Sequence, residues 1–188
     1  MEISTSLKTA AILAAVLLGG CAKEVRYTVP QAEPEVRVAS IYSSVEVVEV
    51  TLPDYAAAED IYLLQPDGGI SALGPLWADD PARAVTLQLS RDLGAIIGRN
   101  VAPEPWPFRS FADARLDVRM EEFVATSNGT FRIAGQYFVA PESGGRDRAG
   151  QFSIEVPLAA QDSPGAIAAA RSQAVATLAA QVARNGLR

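Results

Sequence analysis

The sequence predicts a single α/β domain in which two long helices pack against a mixed, largely antiparallel sheet of five or six strands. Three observations carry that prediction. Residues 116–139 alternate apolar and polar side chains about Asn128-Gly129, the pattern of a hairpin with one buried face. Val85, Leu89, Leu93, Ile96 and Ile97 recur at helical spacing. The alanine-rich stretch 166–183, with Ile167, Val175, Leu178 and Val182 as its larger apolar residues, predicts a second helix. The order is strand, hairpin, helix, three-stranded meander, helix.

The chain opens with a polar stretch carrying Lys8, followed by the apolar or small residues Ala10 to Gly20. A bilayer span needs about 20 such residues, so this run is too short to be one. It fits the apolar core of a secretory signal, about 7–15 residues long. The run ends in Leu18-Gly19-Gly20-Cys21, which holds the only cysteine of the chain. These four residues resemble the lipobox of a bacterial lipoprotein. The resemblance implies cleavage after Gly20 and acylation of Cys21 on its sulfur and new amino group. Ala22 at the next position implies, by the sorting rule of enteric lipoproteins, export to the outer membrane. Each buried CH₂ contributes about 0.8 kcal/mol, so two or three acyl chains anchor a protein stably. The plainer alternative, a buried helix whose cysteine packs as a small hydrophobe, fits neither the position nor the length of the run.

Residues 1–20 are thus assigned as signal peptide, 21–35 as a lipidated tether and 36–188 as the folded domain. The tether carries Pro30 and Pro34 and no sustained periodicity, and at full extension it reaches about 45–50 Å. Arg26 to Val29 are suited to dock as a short edge strand. Val45 to Leu52 are mostly β-branched and apolar, as in a strand covered on both faces. Val36 to Tyr42 extend it or form a separate edge strand. Pro66-Asp67-Gly68-Gly69 turns a hairpin between Ile61–Leu64 and Ile70–Leu73.

Asp79 or Asp80 then caps the first helix, with Pro81 in its first turn and its end near Gly98 to Asn100. Val101 to Phe108 hold three prolines around Trp106, which predicts a stiff extended loop. In the meander the inward phase of Leu116, Val118 and Met120 slips at Glu121-Glu122 to Phe123, one extra residue and hence a β-bulge. Asn128-Gly129 predicts a type I′ turn. Phe152 to Leu158 make a third strand, which Pro157 places at an edge or near a strand end. Ser163 caps the second helix, Pro164 opens it and Asn185-Gly186 closes it.

Composition excludes several functions. The net charge of −6 argues against nucleic acid, which needs a basic face. A lone cysteine permits no disulfide within the chain. With no histidine, Ser-His-Asp and Cys-His triads and most zinc sites are absent. The one lysine after the signal, Lys23, lies in the tether. The expectation is a protein that is not an enzyme, with no catalytic residue, metal or cofactor beyond the acyl chains on Cys21. Asp79-Asp80 and Glu121-Glu122 are the tight acidic pairs, read as a helix cap and a bulge, since a carboxylate dyad must converge on one point. Tyr55, Trp77, Trp106 and Phe108 fall in predicted loops. They are either lids on the core or contacts for a partner or a lipid chain.

The order of landmarks resembles the PqiC-like family of auxiliary lipoproteins of ABC-type and MCE-type transport systems. The landmarks are the lipobox, Arg26-Tyr27-Thr28-Val29, a valine-rich strand ending in Leu52-Pro53-Asp54-Tyr55, Leu76-Trp77-Ala78-Asp79 before the first helix, and a closing alanine-rich helix. Leu76 stands where the family usually has Arg, and Ala56 where it has Leu. The resemblance implies an α/β sandwich without catalysis, held on the periplasmic face of the outer membrane through Cys21. It implies MCE-domain or ABC-transport subunits as partners, a part in lipid transport between the membranes, and admits homo-oligomeric rings. Tyr55 and Trp77 align with its motif positions. Two rivals stand beside it: a structural or assembly lipoprotein that binds an outer-membrane protein or the cell wall, and a carboxylate hydrolase built on Asp79 or Glu121.

Overall fold

The computed structural model describes residues 24–32, 34–161 and 163–188. The expected signal peptide, residues 1–20, and Cys21 lie outside the described residues. Among the described residues, eight strands and two helices make a two-layer α/β domain. In chain order these are β1 (Arg26–Tyr27), β2 (Ser44–Val47), β3 (Asp60–Leu64), β4 (Ile70–Trp77), α1 (Pro81–Ile97), β5 (Asn100–Pro103), β6 (Ala114–Thr126), β7 (Thr130–Pro141), β8 (Arg148–Pro157) and α2 (Pro164–Asn185). The mixed sheet and its two covering helices are as predicted. The count exceeds five or six because the two-residue β1 and the proline-bearing β5 both join the sheet.

β6 is the spine. Along one edge it pairs antiparallel with β7, which pairs antiparallel with β8. Its other edge is shared by two parallel partners placed end to end. β2 lies beside Ala114–Leu116 and carries β5, while β3 lies beside Ala125–Thr126 and carries β4 and then β1. Antiparallel pairing dominates by length. The valine-rich run accordingly divides, with β2 ending at Val47. Beyond it Val48 N–H donates to Leu116 O, and Thr51 exchanges hydrogen bonds with Val118 O and Met120 N–H.

The register shift between Met120 and Glu122 is the predicted bulge. Gly135 faces it, and a Cβ there would lie 2.1 Å from Arg119 O, so nothing larger than glycine fits. The β6–β7 connection is a three-residue loop, Ser127 to Gly129, rather than a two-residue type I′ turn. Gly129 N–H donates to Thr126 O, and Gly129 takes the positive φ of +79° that closes such loops.

Both helices start as the sequence indicates. Asp80 caps α1 by accepting from Arg83 N–H at 2.8 Å, and Ser163 caps α2 by accepting from Ala166 N–H. Gly98, left-handed at φ +63°, ends α1. The helices pack on each other and on the face formed by Val45, Leu116, Val118, Phe131, Ile133 and Val139, all fully buried. Residues 36–42 form no strand. With residues 24–32 they follow α1 from its first turn, where β1 pairs with Trp77, to its last, where Val38 N–H donates to Ile96 O. Ile41 N–H then donates to Leu187 O, tying the start of the domain to its end.

Candidate functional site

The structure separates the four aromatic candidates into two pairs. Trp77 is the last residue of β4 rather than part of a loop, and only 3 % of it is exposed. It stacks on the guanidinium of Arg171, 4.6 Å from its ring centre, while Phe123 covers the cation from 5.2 Å. Arg171 is fully buried without a carboxylate in ion-pair range among the described residues, and it donates to Pro81 O at 3.4 Å. Burial pulls its pKa down to about 10, against the attraction of Asp79 and Asp80. Two aromatic faces supply part of the stabilisation that water would otherwise give.

Tyr55 sits in a 3-10 turn, Asp54–Ala56. Its hydroxyl accepts from Phe123 N–H at 3.0 Å, in the gap on the β6 edge between the strands that share it. A buried backbone N–H left there without a partner would be costly. Burial pushes the Tyr55 phenol above its ordinary pKa, which keeps it neutral. Tyr55 and Trp77 therefore both serve the fold, Tyr55 from a half-buried position.

Trp106 and Phe108 lie on the surface, on the loop from β5 to β6. Their rings meet edge to face with centroids 4.9 Å apart, and Trp106 Nε1–H donates to Ser110 O at 2.6 Å. Phe108 is 49 % exposed, and Phe111, outside the four aromatic candidates, is 89 % exposed. A cleft of about 400 Å³ lies beneath the loop, against Glu46, Arg115 and Glu142.

That cleft opens on the sheet face turned away from the helices. There Arg115 pairs with Glu104 at 2.9 Å and Glu46 at 3.2 Å, and Arg119 pairs with Asp117 at 2.7 Å while lying 5.3 Å over the Phe138 ring. Val48, Phe138 and Ala140 floor a second cleft of about 400 Å³ between those arginines. Phe138 could have been found by alternation, because Phe131, Ile133, Tyr137 and Val139 fix the inward phase and leave Phe138 outward. This face offers an apolar floor with a rim of paired charges.

The acidic pairs hold no converging dyad. Asp79 pairs with Arg83 and Asp80 is the cap. The bulge turns both Glu121 and Glu122 to the bare face, where Glu121 accepts from Gln136 and Glu122 takes Arg132 on both oxygens. Asp92, fully buried on α1, accepts from Gln88 at 3.1 Å. Arg91 stands 3.4 Å from its other oxygen without hydrogen-bond alignment, and burial raises the Asp92 pKa. Among the described residues no three His, Cys, Asp or Glu side chains gather as metal ligands, and no helix is long and apolar enough to cross a membrane.

The described residues thus form a two-layer α/β domain with one helix-free, charge-rimmed sheet face and an exposed aromatic loop. The match to a family model over residues 27–183 makes the class specific: the chain belongs to the family of ABC-type transport auxiliary lipoprotein components. That family is a transport family and not an enzyme family. No curated protein matches the chain in sequence. Among solved structures, an uncharacterized protein shares the fold with a TM-score of 0.68 and 19 % identity, over 86 % of this chain and 98 % of its own. Protein XCC0632 from Xanthomonas campestris matches with a TM-score of 0.67 and 15 % identity, over 85 % of this chain and 92 % of its own. The PelC dodecamer from Paraburkholderia phytofirmans is a weaker likeness, with a TM-score of 0.44 and 16 % identity over 86 % of this chain and 100 % of its own. That likeness carries no argument about assembly here.

Proposed function

We propose that this protein is an outer-membrane-anchored periplasmic lipoprotein that docks an MCE-domain or ABC-type transport subunit and so helps carry lipid between the membranes. The family match over nearly the whole folded chain is the observation that carries this reading. The lipobox at Leu18 to Cys21 and Ala22 beside it support anchoring in the outer membrane. The role is positional. Cys21 fixes the domain to the bilayer, and the bare face around Phe138 and Arg119 receives the partner. No bond is made or broken. Rings of several copies remain compatible with this arrangement.

The test is a membrane-extract pull-down of the tagged, lipidated chain beside a Cys21→Ser control and a Phe138→Asp variant, with captured proteins identified by mass spectrometry. Recovery of an MCE-domain protein by the lipidated chain, reduced about tenfold or more by Phe138→Asp, is the expected result. A charge buried in an interface core costs at least the ~1.4 kcal/mol that makes a tenfold change. Recovery of only a barrel protein or cell-wall material would replace this reading with that of a structural lipoprotein.

A further inference from the structure

We infer that the β5–β6 loop is itself a bilayer contact, in which Phe108 and Phe111 enter the headgroup region of an anionic lipid surface and Arg109 pairs with lipid phosphate. The inference rests on the lipoprotein reading, which brings a bilayer within reach.

Exposure is the first ground. Single apolar residues on a surface are ordinary, but here two phenylalanines protrude from one short loop, with Trp106 packed behind Phe108. Presentation is the second. Pro105 and Pro107 stiffen the loop, and the indole N–H of Trp106, given to Ser110 O, ties it back on itself, so the rings are held in place rather than left to collapse on the sheet.

Charge is the third ground. Arg109 stands between the two phenylalanines and makes no ion pair among the described residues. Nearby acids are engaged, Glu104 by Arg115 and Asp113 by Ser43, and Glu142 lines the cleft behind the loop. Aromatic rings beside an arginine whose long stem lets the charge stay in the headgroups are the usual dress of an interfacial segment.

Reach is the fourth. Cys21 precedes Arg26 of β1 by five residues, which extend at most about 18 Å. An acylated Cys21 therefore holds the β1 edge close to the membrane. β1 and β5 belong to the two groups that share one side of β6, at opposite ends of it, and the inference has one bilayer touching both the anchor and the loop.

The experiment places the full lipidated chain in vesicles of phosphatidylethanolamine and phosphatidylglycerol with brominated acyl chains and reads tryptophan quenching. Trp77, buried in the core, is the internal reference, and Trp106→Phe isolates it. Wild type should be quenched clearly more than Trp106→Phe. Phe108→Ser with Phe111→Ser should abolish that difference, because losing two phenylalanine contacts weakens insertion about ten- to a hundredfold. Equal quenching of wild type and Trp106→Phe would overturn the inference. So would shielding of Trp106 that grows only with protein density or with an added envelope protein, since a second copy or a protein partner would then cover the loop. Should the serine variant misfold, the wild-type against Trp106→Phe difference still decides. The mass of the recovered chain reads acylation separately. An acylated chain with unquenched Trp106 rejects the loop contact and keeps the anchor, and a quenched Trp106 on an unacylated chain does the reverse.

Discussion

Trp77 and Trp106 occupy matching places in the sequence, each in a short proline-flanked stretch beside a regular element, yet they have opposite lives in the fold. Trp77 closes over a buried arginine that water cannot reach, and its neighbours Phe123 and Arg171 come from β6 and α2, far away in the chain. Trp106 finds its aromatic and hydrogen-bonding partners, Phe108 and Ser110, in its own loop. The contrast teaches that an aromatic residue is committed to the core when distant elements converge on it. It stays free for a partner when its contacts are local.

The largest effect should come from breaking the buried member. Trp77→Ala is expected to cost about 3–5 kcal/mol, the range for deleting a core aromatic, with more added if Arg171 is left without its stacking face. Trp106→Ala should cost under about 1 kcal/mol. Urea denaturation of the two variants measures both, and equal losses would erase the distinction drawn between them.

A second comparison asks whether Arg171 matters for its charge or its volume. Arg171→Ala should lose about 2–4 kcal/mol through the cavity left between the rings. Arg171→Met fills that space without a desolvated cation and should remain within about 1 kcal/mol of wild type. A methionine variant as unstable as the alanine one would show that the cation–π contacts themselves dominate.

A smaller change than the loss of either core side chain belongs to Tyr55. Tyr55→Phe removes the acceptor for Phe123 N–H and should cost about 1 kcal/mol in thermal or chemical unfolding, with partner recovery from membrane extracts unchanged. Loss of the partner at unchanged stability would restore Tyr55 as a contact residue.

Much of this fold is legible in the sequence because its signals are local. Asp80-Pro81, Ser163-Pro164, the turn at Asp67 to Gly69 and the slip at Glu121-Glu122 each set geometry through a few neighbouring atoms. What escaped depends on distant partners. Asn100–Pro103 is a strand only because β2 offers a parallel edge, and its proline is tolerated there because the pairing ends with it. Trp77 becomes a strand end because Tyr27 pairs beside it, and its burial needs an arginine found 94 positions later, at residue 171. Val48 to Leu52 look like more of β2, but β6 is wide enough to take them as a separate rung before β3. The proposed contact surface is half legible. Trp106 and Phe108 were marked by the prolines around them, whereas Phe111 and Phe138 needed attention to exposure and to strand phase.

The bond between Ile41 N–H and Leu187 O bears on the order in which the domain closes. Residue 41 is made early, but its seat is formed by residue 187. The hairpins of β6, β7 and β8 join neighbours in sequence and can pair early, while β2 needs β5 and β6 and the segment along α1 needs residue 187. On the proposed route of export, the amino-terminal part would therefore cross first and settle late, held in the interval by whatever receives Cys21.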